Sequence, residues 1–179
     1  IFNNYNKDKF EIYLYLDNEI EDENTNEFKI LAKKTTNISK LTDIEAFNLI
    51  RGDIIDIMFD ISGMSSINRI SLFKNRLAPK QVSWLAYCNT SGLDNMDYLI
   101  ADKNLIQKAE ENDYSEKIIY LPNIWNCHSG LSRERSESDT PCLNEKSITF
   151  GSFNNFNKIN DRVIFVWSKI LQKVKNSKL

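Results

Sequence analysis

The sequence predicts an α/β fold built around a parallel β-sheet, because short apolar runs alternate with helical segments along the 179-residue chain. Residues 10–16 alternate in the way of a strand, and residues 54–59 form an almost wholly apolar run, typical of a strand covered on both faces. Further strands are predicted at residues 82–86, 98–101 and 117–121. We therefore expect one near-complete Rossmann-like unit over residues 1–122.

Capping residues mark the helices of this unit. Thr42 and Glu45 are spaced as in a capping box at a helix start, and Gly52 is placed to end that helix. A second helix is predicted over residues 68–75, and the acidic, Asn-rich residues 17–26 are predicted to form a loop.

The apolar pattern lapses over residues 123–146, where Ser, Arg, Glu, Asp and Pro predict a linker. Residues 147–152 then predict a strand, and Asn160 is placed to cap a helix. The apolar face of that helix consists of Val163, Ile164, Val166, Trp167, Ile170, Leu171 and Val174. Residues 147–179 would open a second Rossmann-like unit. We expect an internal piece of a longer polypeptide, because position 1 is not Met and no further strand is predicted after this helix.

Composition excludes several classes of function. A formal charge of −2 gives no electrostatic reason to expect nucleic acid or an anionic membrane as the partner. No apolar run approaches the roughly 20 residues that cross a bilayer. Three cysteines without CxxC spacing and a single histidine argue against a disulfide framework or a metal site, and favour the cytoplasm.

Two loops of the first unit carry candidate chemistry. Residues 60–69 run from a strand end through a small-residue turn into a predicted helix, whose free amides could face a ligand. Residues 77–92 lead from a strand into a loop of small and hydroxyl side chains, which allow a sugar to approach closely. The alternative for the second loop is an ordinary turn, with Trp84 and Tyr87 in the core.

A third loop lies in the second unit, over residues 148–159. It places the polar side chains Ser152, Asn154, Asn155 and Lys158 before a helix. A lysine can meet a diphosphate as a compact charge, and an amide can donate to phosphate or pair with a base. The alternative is a solvated lysine beside a structural Asn turn.

Five ordered blocks cover nearly the whole chain and resemble the O-linked N-acetylglucosamine transferase family in its bacterial form. They occupy residues 60–69, 76–92, 95–102, 114–122 and 148–171. Within them stand the sequences DISG, RLAPKQVSWLAY, NMDYLIAD, YSEKIIYLP and ITFGSFNN.

The resemblance implies a GT-B glycosyltransferase that moves N-acetylglucosamine from UDP-GlcNAc to Ser or Thr hydroxyls of proteins, with inversion and without a metal or other cofactor. Lys158 would contact the diphosphate as the catalytic residue, and Asn155 would lie at the nucleotide. The residues lining or near the sugar would be Leu85, Ala86, Cys88, Thr90 and Ser91. Helical (TPR) repeats would belong to the same full-length chain.

The chain also departs from the family pattern near the implied sugar site. Ala86-Tyr87-Cys88-Asn89 stands where the family usually has Gly-Tyr-Pro-Gly, and Met64 replaces a common histidine. Another UDP-hexose, an Asn acceptor, or a non-catalytic remnant that binds a nucleotide or partner therefore stay open. The family's histidine loop would precede residue 1 and its nucleotide segment would follow residue 179, so the isolated chain is expected to be inactive.

Overall fold

The computed structural model describes residues 2–65, 68–85, 87–127 and 139–179. The chain forms two compact units, Ile1–His128 and Ser129–Leu179. The division falls inside the stretch predicted to be a linker.

All strand pairs of the first unit are parallel, as predicted. A two-stranded sheet joins β1 (Tyr13–Leu16) to β2 (Lys34–Asn37). A four-stranded sheet contains, in spatial order, β3 (Ile57–Asp60), β4 (Lys80–Ser83), β5 (Tyr98–Ala101) and β6 (Lys117–Tyr120). Because the four strands run in the same direction, the loops that leave β3, β4, β5 and β6 meet at one edge of the sheet.

The helices of the first unit are fixed by their caps. In α2 (Asp43–Gly52), the Glu45 amide donates to Thr42 Oγ1 at 3.3 Å and the Thr42 amide donates to Glu45 Oε2 at 2.8 Å, which confirms the predicted capping box. Helix α1 (Glu23–Leu31) begins inside the predicted loop, because Asp22 caps it through the Thr25 amide. That part of the loop prediction is wrong.

The described part of this unit also contains two short 3-10 segments, Ile70–Lys74 and Lys108–Asp113. The first replaces the helix predicted over residues 68–75, and the second and β2 were not predicted. In the ranges that the structure describes, no helix is long and apolar enough to cross a membrane.

The main core gathers α2, the first 3-10 segment and neighbouring loops, with Tyr15 of β1 and Met58 of β3 packed against it. Its buried members are Ile38, Ala46, Ile50, Leu72, Phe73, Leu77 and Met96. On β3, Ile57 and Phe59 are still 47% and 43% exposed, while Asp60 is buried and Met58 packs against the core. The prediction that this run is covered on both faces is wrong, because alternate residues of a strand point to opposite faces.

The second unit has a short parallel sheet and one long helix. Strand β7 (Ile148–Thr149) pairs with β8 (Ser177–Lys178), and α4 (Asp161–Lys173) lies between them in sequence. Asn160 accepts a hydrogen bond from the Val163 amide at 3.1 Å, which confirms the predicted cap. Strand β8 corrects the expectation that no strand follows α4, and a short helix, α3 (Pro141–Glu145), lies within the predicted linker.

Candidate functional site

The loop that follows β4 begins at a firmly held tryptophan. The Trp84 amide donates to the Asp60 carbonyl at 2.9 Å, and the Trp84 indole donates to the Trp125 carbonyl at 3.0 Å. The next residue, Leu85, has a φ of 87°, a conformation that costs free energy for a residue other than glycine and persists only where the surroundings hold it. Its side chain is 38% exposed at the carboxyl edge of the sheet.

A turn after β3 supports the middle of this loop. The buried Asp60 carboxylate accepts hydrogen bonds from the Ser62 and Gly63 amides, each at 3.0 Å. Burial raises the pKa of Asp60, although these two hydrogen bonds oppose the shift. Gly63 has a φ of 54° and lies against Tyr87, so closely that an added Cβ would stand 3.0 Å from Tyr87 Cγ and closer still to Tyr87 Cβ.

This turn corrects the expectation of free amides facing a ligand. The Ser62 and Gly63 amides are taken by Asp60, and the helical segment begins only at Ile70, as a 3-10 segment. The turn therefore supports the neighbouring loop rather than offering these two amides to a ligand.

The far end of the loop is held by the buried Glu116 carboxylate, which is 3% exposed. Oε1 accepts the Ser91 amide at 2.7 Å and the Ser91 hydroxyl, and Oε2 accepts the Thr90 hydroxyl at 2.7 Å. The Ser115 hydroxyl lies 3.2 Å from Oε2. Burial by itself raises the pKa of Glu116, but the hydrogen bonds from Ser91 and Thr90 outweigh it, so the pKa lies below its usual range.

A second buried carboxylate ties the loop after β6 to this assembly. Asp102, directly after β5, accepts hydrogen bonds from the amides of Trp125 at 2.7 Å, Asn104 at 2.7 Å and Leu105 at 2.9 Å. These hydrogen bonds hold the pKa of Asp102 below its usual range, and the bond from the Trp125 amide has the largest effect. Because the Trp125 carbonyl accepts from Trp84, Asp102 also steadies the start of the candidate loop.

The candidate residues of the first unit share this one loop, but they differ in what their side chains do. Leu85 and Cys88 are exposed, whereas the hydroxyls of Thr90 and Ser91 are engaged with Glu116. Ala86 lies outside the described residues. Trp84 and Tyr87 are partly buried, so they are neither fully in the core, as in an ordinary turn, nor fully exposed.

In the second unit, Asn155 and Lys158 lie in one 3-10 turn. The Asn155 side chain accepts from the Asn157 amide at 3.0 Å, and its carbonyl accepts from the Lys158 amide at 3.0 Å. The Lys158 side chain is exposed, and no carboxylate in the described ranges lies within ion-pair distance of its ammonium. A charge placed in this way is available to an anion.

A concave pocket of about 270 Å³ lies next to this turn. Its lining includes the polar residues Ser152 and Asn154 and the apolar residues Trp167 and Leu171 of α4. An apolar wall facing a few polar groups is the usual composition of a small-molecule site. Within the described ranges, no group of three or more His, Cys, Asp or Glu residues could hold a metal ion.

The sequence did not assign roles to Glu116 and Asp102, although both lie inside blocks that carried the resemblance. Glu116 reaches Ser91 over 25 residues and Asp102 reaches Trp125 over 23, so no local pattern marks either contact. The one available signal is an acidic residue next to a largely apolar strand, where an ionised side chain needs hydrogen-bond partners.

Parallel strands with structured loops at their carboxyl edge define a Rossmann-like α/β protein, in which ligands bind at that edge. The sequence profile of glycosyl transferase family 41 matches residues 1–130. The chain belongs to this family.

Two curated plant proteins are similar to this chain in sequence. The protein named "Probable UDP-N-acetylglucosamine--peptide N-acetylglucosaminyltransferase SPINDLY" of Eustoma exaltatum subsp. russellianum is 38% identical over 132 residues, which are 74% of this chain and 14% of that protein. The protein of the same name from Petunia hybrida is 34% identical over 162 residues, 88% of this chain and 17% of that protein.

Among solved structures, a mutant O-GlcNAc transferase of Thermobaculum terrenum matches with a TM-score of 0.83 and 29% identity, covering 98% of this chain and 33% of that one. The fold is therefore of the GT-B type. The chain spans 14% to 17% of the length of the two curated relatives.

Proposed function

We propose that this chain is part of the catalytic region of an inverting, UDP-sugar-dependent protein glycosyltransferase, which moves N-acetylglucosamine from UDP-GlcNAc to Ser or Thr hydroxyls. The observation that carries the proposal is the similarity of 98% of the chain to a solved O-GlcNAc transferase. The anchored loop after β4 and the Lys158 charge, which has no ion-pair partner among the described residues, supply chemistry that such a reaction needs.

In this proposal the loop after β4 faces the sugar. Leu85, Ala86 and Cys88 would line the sugar, and the exposure of Leu85 and Cys88 supports that role. Thr90 and Ser91 lie near the sugar but act through the backbone, since their hydroxyls are engaged with Glu116. The departures at Ala86 and Cys88 keep another UDP-hexose as the second candidate donor.

Lys158 and Asn155 are proposed to face the UDP moiety. As the acceptor hydroxyl attacks the anomeric carbon from the opposite side, the bond from that carbon to the UDP oxygen breaks and negative charge develops on UDP. A fixed ammonium stabilises this charge more in the transition state than in the ground state, which raises turnover. The Asn155 amide interacts with the nucleotide about equally in both states, so it contributes to binding.

The two units are proposed to be the truncated N-terminal catalytic unit, residues 1–122, and the opening strand and helix of a nucleotide-binding unit, residues 147–179. Exposed Ile164, Phe165 and Val166 on α4 support this division, because apolar side chains clustered on a surface usually meet a further element. We propose a full-length polypeptide that includes helical (TPR) repeats, works in the cytoplasm and modifies an acceptor protein.

The test is Lys158→Met in the full-length polypeptide. The change keeps most of the stem and removes the charge, so we expect turnover to fall about a hundredfold or more, for a loss of a few kcal/mol of differential stabilisation. The melting temperature should change little, because the Lys158 side chain is exposed. The measurement is steady-state transfer from UDP-GlcNAc to a protein acceptor.

Two further variants sharpen this test. Lys175→Met removes another exposed charge from the same unit and should leave turnover unchanged. Asn155→Ala should mainly raise the KM for the donor. If Lys158→Met keeps turnover within about threefold of the parent while the protein stays folded, Lys158 does not face the diphosphate.

A further inference from the structure

We propose that Glu116 is a positioning residue for the sugar-lining loop, acting through Thr90 and Ser91, and that it controls affinity for the UDP-sugar but not for UDP. The inference rests on the proposed function. Independently of that function, Glu116 is a buried carboxylate whose hydrogen-bond partners among the described residues are all neutral groups.

The hydrogen-bond pattern around Glu116 suits a carboxylate. Thr90 Oγ1 accepts from the Gly92 amide at 3.1 Å and from the Ser115 amide at 3.2 Å, so its two lone pairs are used and its hydroxyl acts as a donor. The nearer acceptor for its proton is Glu116 Oε2 at 2.7 Å, and the other is Ser115 Oγ at 3.0 Å. Ser91 Oγ accepts from the Leu93 amide at 3.3 Å and likewise donates to Glu116.

The amide group of a glutamine fits this arrangement less well. With its NH2 group turned toward Ser91, it faces the amide and the hydroxyl of that residue, both of which already donate, and one buried donor is left unsatisfied. With its NH2 group turned the other way, the Thr90 hydroxyl loses Oε2 as its acceptor and must turn to Ser115 Oγ, so the link from Thr90 to residue 116 is broken.

The segment between the two fixed ends of the loop is short, so the loss of hydrogen bonds at the Glu116 end affects the whole segment. Trp84 is held through Asp60 and Trp125 on one side, and Thr90 and Ser91 are held through Glu116 on the other. Only residues 85–89 lie between, and Leu85 keeps a φ of 87°. Because such a backbone persists only where both sides constrain it, release of the Glu116 end allows Leu85 and Cys88 to move.

The proposed division of roles between the two units predicts different effects on two ligands. The loop after β4 is proposed to face the sugar, whereas Asn155 and Lys158 of the other unit are proposed to face UDP. Movement of the loop should therefore weaken binding of the whole donor and leave binding of UDP unchanged. A general loss of folding would weaken both.

The experiment compares Glu116→Gln with the parent in the full-length polypeptide, by calorimetric titration of UDP and of UDP-GlcNAc. We expect the Kd for UDP-GlcNAc to rise about tenfold, because the released loop must be ordered again when the donor binds, and the Kd for UDP to stay within about twofold. Glu116→Asp keeps the charge and should lie between. Glu27→Gln, at an exposed glutamate of α1, is the matched control and should change neither constant.

A second measurement needs no nucleotide. The exposed Cys88 thiol lies in the loop, so its rate of alkylation by a maleimide, followed by peptide mass spectrometry, reports the loop directly. We expect the alkylation rate at Cys88 to change at least threefold in Glu116→Gln, because a freed backbone changes how accessible the thiol is to the reagent. The rate at Cys127 should stay the same. If Glu116→Gln does not fold, Ser91→Ala removes a single hydroxyl donor and should shift both readouts in the same direction.

The possible results distinguish the role of Glu116 from the proposed function. An unchanged Cys88 rate together with an unchanged UDP-GlcNAc affinity overturns the role of Glu116, as does an equal loss of affinity for UDP and UDP-GlcNAc. A parent protein that binds neither ligand overturns the proposed function and the affinity claim with it, while a changed Cys88 rate in that case still supports Glu116 as the residue that positions the loop.

Discussion

Replacing Gly63 with alanine tests the contact between the turn after β3 and the loop after β4. Gly63 has a φ of 54°, and the new Cβ would stand 3.0 Å from Tyr87 Cγ and closer to Tyr87 Cβ. Gly92 has a φ of 68°, but an added Cβ there would have no atom within 4 Å apart from those of its own residue and its two chain neighbours. Gly92→Ala therefore carries the backbone cost without the overlap, which makes it the matched control.

Two free-energy costs set the expected loss of stability: the backbone cost of a left-handed alanine and the overlap with Tyr87. A left-handed conformation costs an alanine roughly 1–2 kcal/mol, so Gly92→Ala should lower the free energy of unfolding by about that amount. Gly63→Ala carries the same cost plus the displacement of Tyr87, and overpacking of this kind costs roughly 1–3 kcal/mol more. Gly52→Ala, at the end of α2 with open space around it, should be neutral or stabilising by about 0.5 kcal/mol.

The assay is urea unfolding of residues 1–179 followed by circular dichroism, with the midpoint and slope compared across the three variants. A double-mutant cycle with Tyr87→Gly isolates the overlap, because the clash disappears when both changes are present. If Gly63→Ala loses no more stability than Gly92→Ala, the turn does not support the loop through Tyr87.

Two further predictions concern pH and activity. The folded-state pKa values of Asp97, Asp102 and Glu116 are lowered, for Asp97 mainly by its hydrogen bond from Arg76. Their stabilisation is present above the unfolded-state pKa and is lost as the pH falls through the folded-state pKa, so the urea midpoint should drop on acidification below the usual carboxyl range. Asp60, whose pKa is raised, has the opposite effect on stability: its ionised form destabilises the fold, and this cost is relieved as the pH falls. A urea midpoint that rises in acid would show that Asp60 dominates. Separately, purified residues 1–179 should transfer no sugar from UDP-GlcNAc, since donor binding is proposed to need both complete units, and measurable transfer would show that the catalytic parts lie within this chain.

Local patterns predicted most elements of the fold. The reciprocal cap of Thr42 and Glu45, the cap at Asn160 and the strand at Tyr98–Ala101 agree with the structure. Each depends on residues at most a few positions apart, where periodicity and capping act. The start of α1 was missed because Asp22 and Thr25 form a capping box in which threonine replaces the usual Glu or Gln.

The candidate site was predicted as segments, and its internal contacts were not. The loop after β4 was singled out from its small and hydroxyl residues, and the resemblance implied that Thr90 and Ser91 lie near a sugar, but neither indicated that Glu116 accepts from both. The roles of Lys158 and Asn155 stay predictions.

By itself, the sequence determined the parallel α/β arrangement, the caps and the membership of glycosyl transferase family 41, because each of these is carried by short ordered patterns. Only the tertiary structure decided which groups meet across the loops: Gly63 with Tyr87, Asp102 with Trp125, and Glu116 with Thr90 and Ser91. The physical reason is that a buried carboxylate takes its hydrogen bonds from whichever donors the folded chain brings to it. In this molecule Trp125 donates to Asp102, and Thr90 and Ser91 donate to Glu116, from loops more than twenty residues away.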